Sequence, residues 1–311
     1  MNEHSCGTAC GQPRAETAMT DFALAAHAVA KLDRAGTALV TDAPLKELLI
    51  AEGYPVGKWI GNHSRNRDLW RRLLAIKNRM PTSSLYPAGE DFLDVEYQHQ
   101  GIVVRGLAAA HLMDAMAISL PVKECWDTSG VRLRREQAIE GTDDQIVSCT
   151  DEVEVRHLSA ERHVDVHRVW IREDCQRGVR TGRDMWEQRA GLYPNLQFLP
   201  RVEHDLCDLR AVWVRDVRER LEELQSAVGE WNPAREPQGP RWRSKVTPEH
   251  EVRKRLCYFT DLDGHSTLFD IHARFAQNQG RIHFRMLPGT AAIRIAYIDY
   301  KILPETRVRA R

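Results

Sequence analysis

Two runs near the C-terminus alternate strictly between apolar and polar residues, at positions 269–275 and 281–286. A β-strand sends alternate side chains to opposite faces. The alternation therefore predicts two adjacent strands with one apolar face and one polar face. The polar face carries Asp270, His272, Arg274, Arg281, His283 and Arg285.

The surrounding pattern predicts four strands in this region, at 256–260, 267–275, 281–287 and 291–298. Asp263-Gly264 and Pro288-Gly289 are typical of tight turns, which favours an antiparallel meander. Thr247-Pro248 is typical of a helix start, with Thr247 as the cap and proline in the first turn.

The middle of the chain has helical periodicity. Apolar residues recur every three or four positions over 202–231, which predicts one long helix with a single buried stripe. Shorter helices are predicted from Ser159 toward Trp170 and over 183–190. Residues 232–243 are rich in proline and glycine and predict a linker.

In the first half of the chain, segments with helical periodicity alternate with segments that have strand periodicity. Helices are predicted at 19–34, 66–78 and 107–120, and strands at 37–41, 100–105 and around 131–133 and 153–155. The whole pattern predicts an α+β protein with an N-terminal α/β part, a helical middle and a C-terminal antiparallel β-meander. Its predicted segments are a disordered tail (1–18), an α/β domain (19–156), a helical region (157–240) and a basic β-meander domain (241–311).

Composition places the chain among ordinary soluble proteins. It has 311 residues, of which 42% are hydrophobic and 28% charged. No run approaches the ~18–20 apolar residues of a membrane span, and the N-terminus lacks the features of a signal peptide. Seven scattered cysteines argue against a disulfide framework. We therefore expect a cytoplasmic protein with no membrane partner.

The zero net charge hides an asymmetry. Residues 241–311 carry 14 Lys/Arg and 7 Asp/Glu, whereas the preceding residues carry 30 and 37. A basic end on an acidic body suits either an anionic ligand or docking between the two parts.

The histidines and arginines of the polar strand face suggest phosphate chemistry. Cleavage of RNA without a metal needs a base, an acid and cations, and a histidine pair with arginines supplies all three. Residues opposite each other on paired strands lie ~4.5–5.5 Å apart, so the right register would bring His272 beside His283. Four residues are assigned to catalysis: His272, His283, Arg281 and Arg285. Five basic residues are assigned to nucleic-acid binding: Lys245, Arg253, Lys254, Arg274 and Arg294.

This hypothesis has a structural condition and two alternatives. The histidines can act as acid and base only if they are accessible and share one side of the sheet. The face could instead bind nucleic acid without cleaving it, or it could be a polar surface without chemistry.

The last strands also carry a resemblance. Residues 281–285 (Arg-Ile-His-Phe-Arg) followed by 293–298 (Ile-Arg-Ile-Ala-Tyr-Ile) are similar to the central and terminal strands of the RelE/ParE toxin fold. The resemblance implies a small ribonuclease or gyrase inhibitor, covers only the C-terminal meander and assigns no individual residue. The whole chain also resembles uncharacterised bacterial proteins of defence and mobile loci.

Three other groups carry metal-ligating side chains. They are His4/Cys6/Cys10, His163/Asp165/His167 with His157 nearby, and the carboxylates Asp91/Asp94/Glu96. None has the spacing of a known metal motif. Nucleotide-binding glycine loops and the Gly-x-Ser-x-Gly element of serine hydrolases are missing. We therefore assign no metal ligand and expect no cofactor.

The sequence leads to two main hypotheses about function, and a metal hydrolase built on His163, Asp165 and His167 is the third. The first is a nucleic-acid-acting bacterial protein, toxin-like or antiviral, acting as an endoribonuclease on RNA rather than DNA. The second is a non-catalytic interaction subunit of a bacterial defence or toxin–antitoxin-like complex, whose basic end docks on a protein partner. Salt-dependent nucleic-acid affinity would separate the two.

Overall fold

The computed structural model describes residues 1–34, 36–79, 95–140, 146–276 and 279–303. It confirms the mixed α+β class. The chain divides into an N-terminal unit (Met1–Ala138 and Ser148–Gly178) and a C-terminal unit (Ile139–Val147 and Val179–Arg311). Among the described residues, no helix is both long and apolar enough to cross a membrane.

The N-terminal unit is organised around a long first helix. Pro13 stands in its first turn, where the missing N–H has no helical partner to lose. Small and apolar side chains along one side of this helix, such as Ala15, Met19 and Phe22, are buried in the main core of the unit. The helices of the unit are α1 (Gln12–Leu32), α2 (Val56–Asn62), α3 (Ser64–Leu74), α4 (Arg105–Leu112) and α5 (Glu161–Arg177).

The strands of this unit form one larger sheet and two small pairs. They are β1 (Ala38–Val40), β2 (Leu49–Ala51), β3 (Tyr54–Pro55), β4 (Lys77–Arg79), β5 (Val95–His99), β6 (Ile102–Val103), β7 (Ala117–Ile118), β8 (Gly130–Glu140) and β9 (Ile146–Leu158). The larger sheet has the order β6-β5-β8-β9-β7, and β1 pairs with β4 while β2 pairs with β3. A second core, which includes Tyr97, Leu107 and Trp126, lies against the larger sheet.

The first eighteen residues differ from the predicted disordered tail. Asn2 and Ser5 are fully buried, and α1 already begins at Gln12. The Glu3 carboxylate accepts hydrogen bonds from the first backbone N–H groups of α4, at 2.6 Å and 2.9 Å. These polar residues look like a tail in the sequence because their hydrogen-bond partners lie more than a hundred residues away.

The C-terminal unit contains a five-stranded sheet and several helices. Its helices are α6 (Gly182–Leu192), α7 (Val202–Cys207), α8 (Val214–Gly229) and α9 (Glu251–Lys254). Its strands are β10 (Leu196–Phe198), β11 (Val246–Pro248), β12 (Tyr258–Thr260), β13 (Ser266–Leu268), β14 (Ile271–Phe275), β15 (Gly280–Leu287) and β16 (Ala292–Tyr300). The sheet order is β10-β16-β15-β14-β11, and β12 and β13 form a separate hairpin.

The sheet of the C-terminal unit is antiparallel except at one edge, where β10 runs parallel to β16. Helices α7 and α8 pack on one face of this sheet. Trp213 meets Phe275 edge-on at 5.3 Å between ring centroids, and Trp242 meets Phe284 at 5.4 Å. The predicted apolar strand face is therefore the face that packs against helices.

Two predicted helices of this unit differ from the structure. The predicted helix over 202–231 is divided into α7 and α8, because Arg210 takes an extended conformation and stacks its guanidinium on Trp213 and Tyr300. The predicted helix start at Thr247-Pro248 is instead the edge strand β11, which pairs with β14. Proline is tolerated there because an edge strand need not donate every backbone N–H.

Candidate functional site

The strand register brings the two candidate histidines together. His272 on β14 lies directly opposite His283 on β15, and their ring centroids are 5.3 Å apart. The row continues outward to Thr247 on β11 and Tyr297 on β16. The neighbouring row pairs Arg274 with Arg281. The candidate residues thus share one face of the sheet, opposite α7 and α8.

That face is buried, which corrects the expectation of an accessible polar surface. His272 is 3% exposed, and His283 and Arg281 are each 1% exposed. Residues 249–270 fold over the face, and Phe259 from this segment packs 5.9 Å from the Tyr297 ring. The alternation of strand residues predicts which side chains share a face, but it does not show what covers that face.

Burial also removes the proton chemistry expected of the pair. Desolvation, with added repulsion from the protonated form of His283 and from Arg281, lowers the pKa of His272 to about 3. Desolvation lowers the pKa of His283 to about 4, although Glu249 opposes the shift. Both rings are therefore neutral near pH 7, and neither can serve as the general acid. The condition set for histidine catalysis is not met.

The arginines assigned to phosphate binding have an internal anion. Arg285 and Arg294 both donate to the Asp261 carboxylate, whose side chain is 1% exposed. Burial alone would raise the pKa of Asp261, but the Leu262 N–H and the two arginines outweigh it and lower the pKa. Arg294 also donates to Gln197 Oε1 at 2.7 Å. Asp261 thus occupies the position at which a substrate phosphate would be expected.

Internal partners also engage two of the remaining assigned cations. Arg253 donates to Glu249 Oε1 at 3.1 Å. The Lys254 ammonium lies 2.6 Å from Glu251 and 3.1 Å from Asp270. Two further candidates differ in exposure: Arg274 is half-buried and Lys245 is exposed. The assigned residues therefore do not form one open cationic surface.

Two residues missed by the sequence reasoning complete the buried histidine pair. Three buried ligand atoms lie within 4.8 Å of one another: a carboxylate oxygen of Glu249, the sulfur of Cys257 and a ring nitrogen of His283. His272 adjoins them, with its Nδ1 atom 4.0 Å from Glu249 Oε2. We call these four residues (Glu249, Cys257, His272 and His283) the His–Cys–Glu cluster. Two histidines and a cysteine within a short segment were the available signal, but the sequence alone does not place Glu249 and Cys257 over the strands.

The other candidate metal groups do not assemble among the described residues. His163 and His167 lie on α5, where His167 contacts the Ser129 carbonyl oxygen at 2.7 Å. Asp165 pairs instead with Arg168 on the exposed side of the same helix. In the N-terminal segment, His4 contacts the carbonyl oxygen of Val103 at 2.8 Å. The carboxylates Asp91 and Asp94 lie outside the described residues.

A buried serine–histidine pair links strands of the N-terminal unit. Ser119 Oγ and His157 Nε2 are 2.6 Å apart, and His157 Nδ1 lies 2.7 Å from the Thr128 carbonyl oxygen. Asn2 donates to the same serine hydroxyl at 3.0 Å. Both Ser119 and His157 are fully buried, and desolvation lowers the pKa of His157 to about 4. This network connects buried backbone and has no access for a substrate.

An exposed basic surface lies on α3, where the sequence reasoning did not seek it. Residues 56–79 carry seven Lys/Arg and one Asp. Leu69 and Leu73 bury one side of α3 in the main core. We call the exposed remainder of the helix surface the basic α3 face, which carries Arg65, Arg67, Arg71 and Arg72. The excess of acidic residues over 1–240 as a whole concealed this local concentration.

No protein family, no curated protein and no solved structure matches this chain. The resemblance to the RelE/ParE fold therefore stays a prediction for the C-terminal strands. The function of the chain must be inferred from its own residues.

Proposed function

We propose that this protein binds nucleic acid, single-stranded RNA in particular, through the basic α3 face. The observation that carries the proposal is the group of four exposed arginines on the surface of an eleven-residue helix. A histidine-dependent ribonuclease is not proposed, because His272 and His283 are buried and neutral.

The helix geometry arranges the four arginines in two cationic rows. Arg65 and Arg72 are seven residues apart and so lie on the same side of α3, about two turns from each other. Arg67 and Arg71 are four apart and form the second row, about 130° around the helix axis from the first. Asp68 is the one acidic residue of the helix and lies 3.1 Å from Arg71. The face therefore keeps a net positive charge along its length.

The guanidinium group suits phosphate recognition. It stays charged at any physiological pH and presents planar donors that match two phosphate oxygens. Because each row offers cations along the helix axis, the face would contact several phosphates of one strand. Binding of this kind depends on the backbone and tolerates changes in base sequence.

Salt dependence gives the expected magnitude. Each phosphate neutralised on a single strand contributes about −0.7 to the slope of log K against log salt, so four contacts give about −2.8. Raising salt from about 50 mM to about 200 mM would then weaken binding by about 50-fold.

Fluorescence anisotropy with a labelled single-stranded RNA tests the proposal. Arg65→Gln/Arg72→Gln removes two contacts, and we expect the slope to fall to about −1.4. The matched control is Arg132→Gln/Arg134→Gln, which removes two exposed arginines from β8 of the same unit. The control should keep the wild-type slope. Equal slopes in the two variants, or no salt-dependent binding by the wild type, would refute the proposal.

The second candidate function is a non-catalytic interaction subunit that docks through the basic α3 face, instead of through the basic C-terminal end that the sequence predicted. An acidic protein partner would also be attracted to the basic α3 face. Competition separates the two classes, because polyglutamate of similar length would displace labelled RNA poorly from a phosphate-binding surface. Strong binding of polyglutamate with no binding of RNA would favour the interaction subunit.

A further inference from the structure

The His–Cys–Glu cluster brings ligand atoms from separate parts of the C-terminal unit into one buried place. Glu249 precedes α9, Cys257 precedes β12, and His283 lies on β15. We propose that this cluster is a site for a divalent transition-metal ion, with zinc as the ion that its ligand chemistry favours. The site is independent of the basic α3 face and of the proposed function.

The distances are compatible with a bound ion. Zinc binds nitrogen and oxygen at about 2.0–2.2 Å and thiolate sulfur at about 2.3 Å, which places tetrahedral ligands about 3.3–3.8 Å apart. The three ligand atoms already lie within 4.8 Å of one another. A contraction of about 1.5 Å or less would bring these three atoms to ligand distances, which rotation of side chains can provide. His272 Nδ1 lies beside the group, 4.0 Å from Glu249 Oε2, and would complete the coordination by moving toward it.

The histidine rings supply the strongest observation. His283 Nε2 and His272 Nδ1 are buried and have no hydrogen-bond partner among the described residues. The other nitrogen of each ring has a neighbour: His283 Nδ1 lies 3.2 Å from the Phe269 carbonyl oxygen, and His272 Nε2 lies 3.4 Å from Thr247 Oγ1. Donation from His283 Nδ1–H to that carbonyl leaves the lone pair on Nε2, which is the tautomer that binds a metal.

The carboxylate of Glu249 is oriented by similar outer contacts. Its Oε1 atom accepts hydrogen bonds from Arg253 Nε and from the His250 N–H, each at 3.1 Å. Its Oε2 atom faces His272 Nδ1. The side chain of Glu249 is 9% exposed, so its negative charge is largely removed from water. A nearby cation would offset the cost of that burial.

The donor set indicates which ion and which role. Two imidazole nitrogens, one thiolate and one carboxylate are the ligand types that zinc accepts, whereas calcium and magnesium prefer oxygen alone. Glu249, Cys257 and His283 supply three ligands, and His272 is the neighbouring candidate for the fourth. Four protein ligands in a buried position are typical of a structural zinc site. The ion would attach residues 249–257 to the polar face of the sheet and stabilise the cover over that face.

Cobalt(II) substitution tests the site directly and needs no activity assay. We expect the chelator-treated, folded wild type to bind about one cobalt per chain, with the intense visible bands of tetrahedral coordination and a near-ultraviolet thiolate charge-transfer band. Cys257→Ser should lose the charge-transfer band, and His283→Gln should lose the tetrahedral spectrum. Cys207→Ser is the matched control, because Cys207 lies on α7 of the same unit and outside the cluster.

Zinc analysis of the wild type completes the test without any variant. About one zinc per chain that is displaced by cobalt supports the site. Absence of stoichiometric zinc and cobalt binding by the folded wild type would overturn it. Binding without a thiolate band, or a thiolate band that survives Cys257→Ser, would overturn the assignment of these ligands.

Discussion

The buried His157 makes the stability of the N-terminal unit depend on pH. Its ring bridges the Ser119 hydroxyl and the Thr128 carbonyl oxygen, and water does not reach it. Burial lowers the pKa of His157 to about 4 in the folded protein, whereas an unfolded histidine has a pKa of about 6.5. Replacement by glutamine keeps a polar side chain and removes the titration.

The sign follows from proton uptake. Between pH 6.5 and pH 4 the unfolded state binds a proton that the folded state does not, so the free energy of unfolding falls as the pH falls through this window. The full contribution is present above about pH 6.5. At pH 5, which is about 1.5 units below the pKa of the unfolded histidine, the free energy of unfolding is lower by about 2 kcal/mol, because each pH unit costs about 1.36 kcal/mol.

Hydrogen exchange measured by mass spectrometry can follow this unit alone. The protection of β9 peptides, corrected for the intrinsic exchange rate at each pH, gives the free energy of opening. We expect that free energy in the wild type to fall between pH 7.5 and pH 5 by about 2 kcal/mol more than in His157→Gln. His204→Gln is the control, because the side chain of His204 is 82% exposed. It should show the same pH dependence as the wild type.

Two results would refute this reasoning. One is an opening free energy of β9 that does not change with pH in the wild type. The other is a pH dependence of the same size in His157→Gln. Either would mean that the buried imidazole does not control proton uptake on unfolding.

Three further predictions concern packing, buried charge and catalysis. Gly106→Ala would place a methyl group 2.0 Å from the Met1 carbonyl oxygen, so thermal unfolding should show a loss of about 1–3 kcal/mol, whereas Gly57→Ala in an open helical position should stabilise by about 0.5–1 kcal/mol. Asp261→Asn leaves two arginines without their buried anion, and urea unfolding should show a loss of about 3 kcal/mol. Labelled RNA should stay intact with the wild-type protein and with His272→Ala and His283→Ala. RNA cleavage by the wild type that is lost in both variants would contradict the conclusion that the buried histidines do not catalyse.

Local patterns predicted the parts of the fold that depend on local physics. Alternation identified β14 and β15, because a strand with one packed face repeats every two residues. The apolar stripe of α8 was visible for the same kind of reason, since Val217, Leu221 and Leu224 return to one side of a helix. The structure keeps these periodicities because the apolar side of the helix packs against the apolar face of the sheet.

Tertiary partners decided what the sequence could not predict. His272 and His283 look like surface residues in a polar pattern, yet the segment from 249 to 270 covers them. Asn2 and Ser5 look like a mobile tail, yet they form buried hydrogen bonds with strands far along the chain. In both cases the decisive contact joins positions that no short window of sequence contains.

The candidate sites show the same limit. The sequence pointed to His272 and His283 as catalytic histidines and not as metal ligands. Their metal-ligating partners, Glu249 and Cys257, are brought to them only by folding. The basic α3 face was not predicted, because the net charge of residues 1–240 taken together is negative. A shorter window over residues 56–79 finds it from composition alone.

Photo-cross-linking of single-stranded RNA containing 4-thiouridine tests the central claim most directly, since it locates the bound strand on the protein. Mass spectrometry of the cross-linked peptides should place the RNA within residues 56–79, beside the basic α3 face. Cross-links concentrated in the strands β13 to β16 of the C-terminal unit would contradict the claim and return the function to the histidine and arginine face of the sheet.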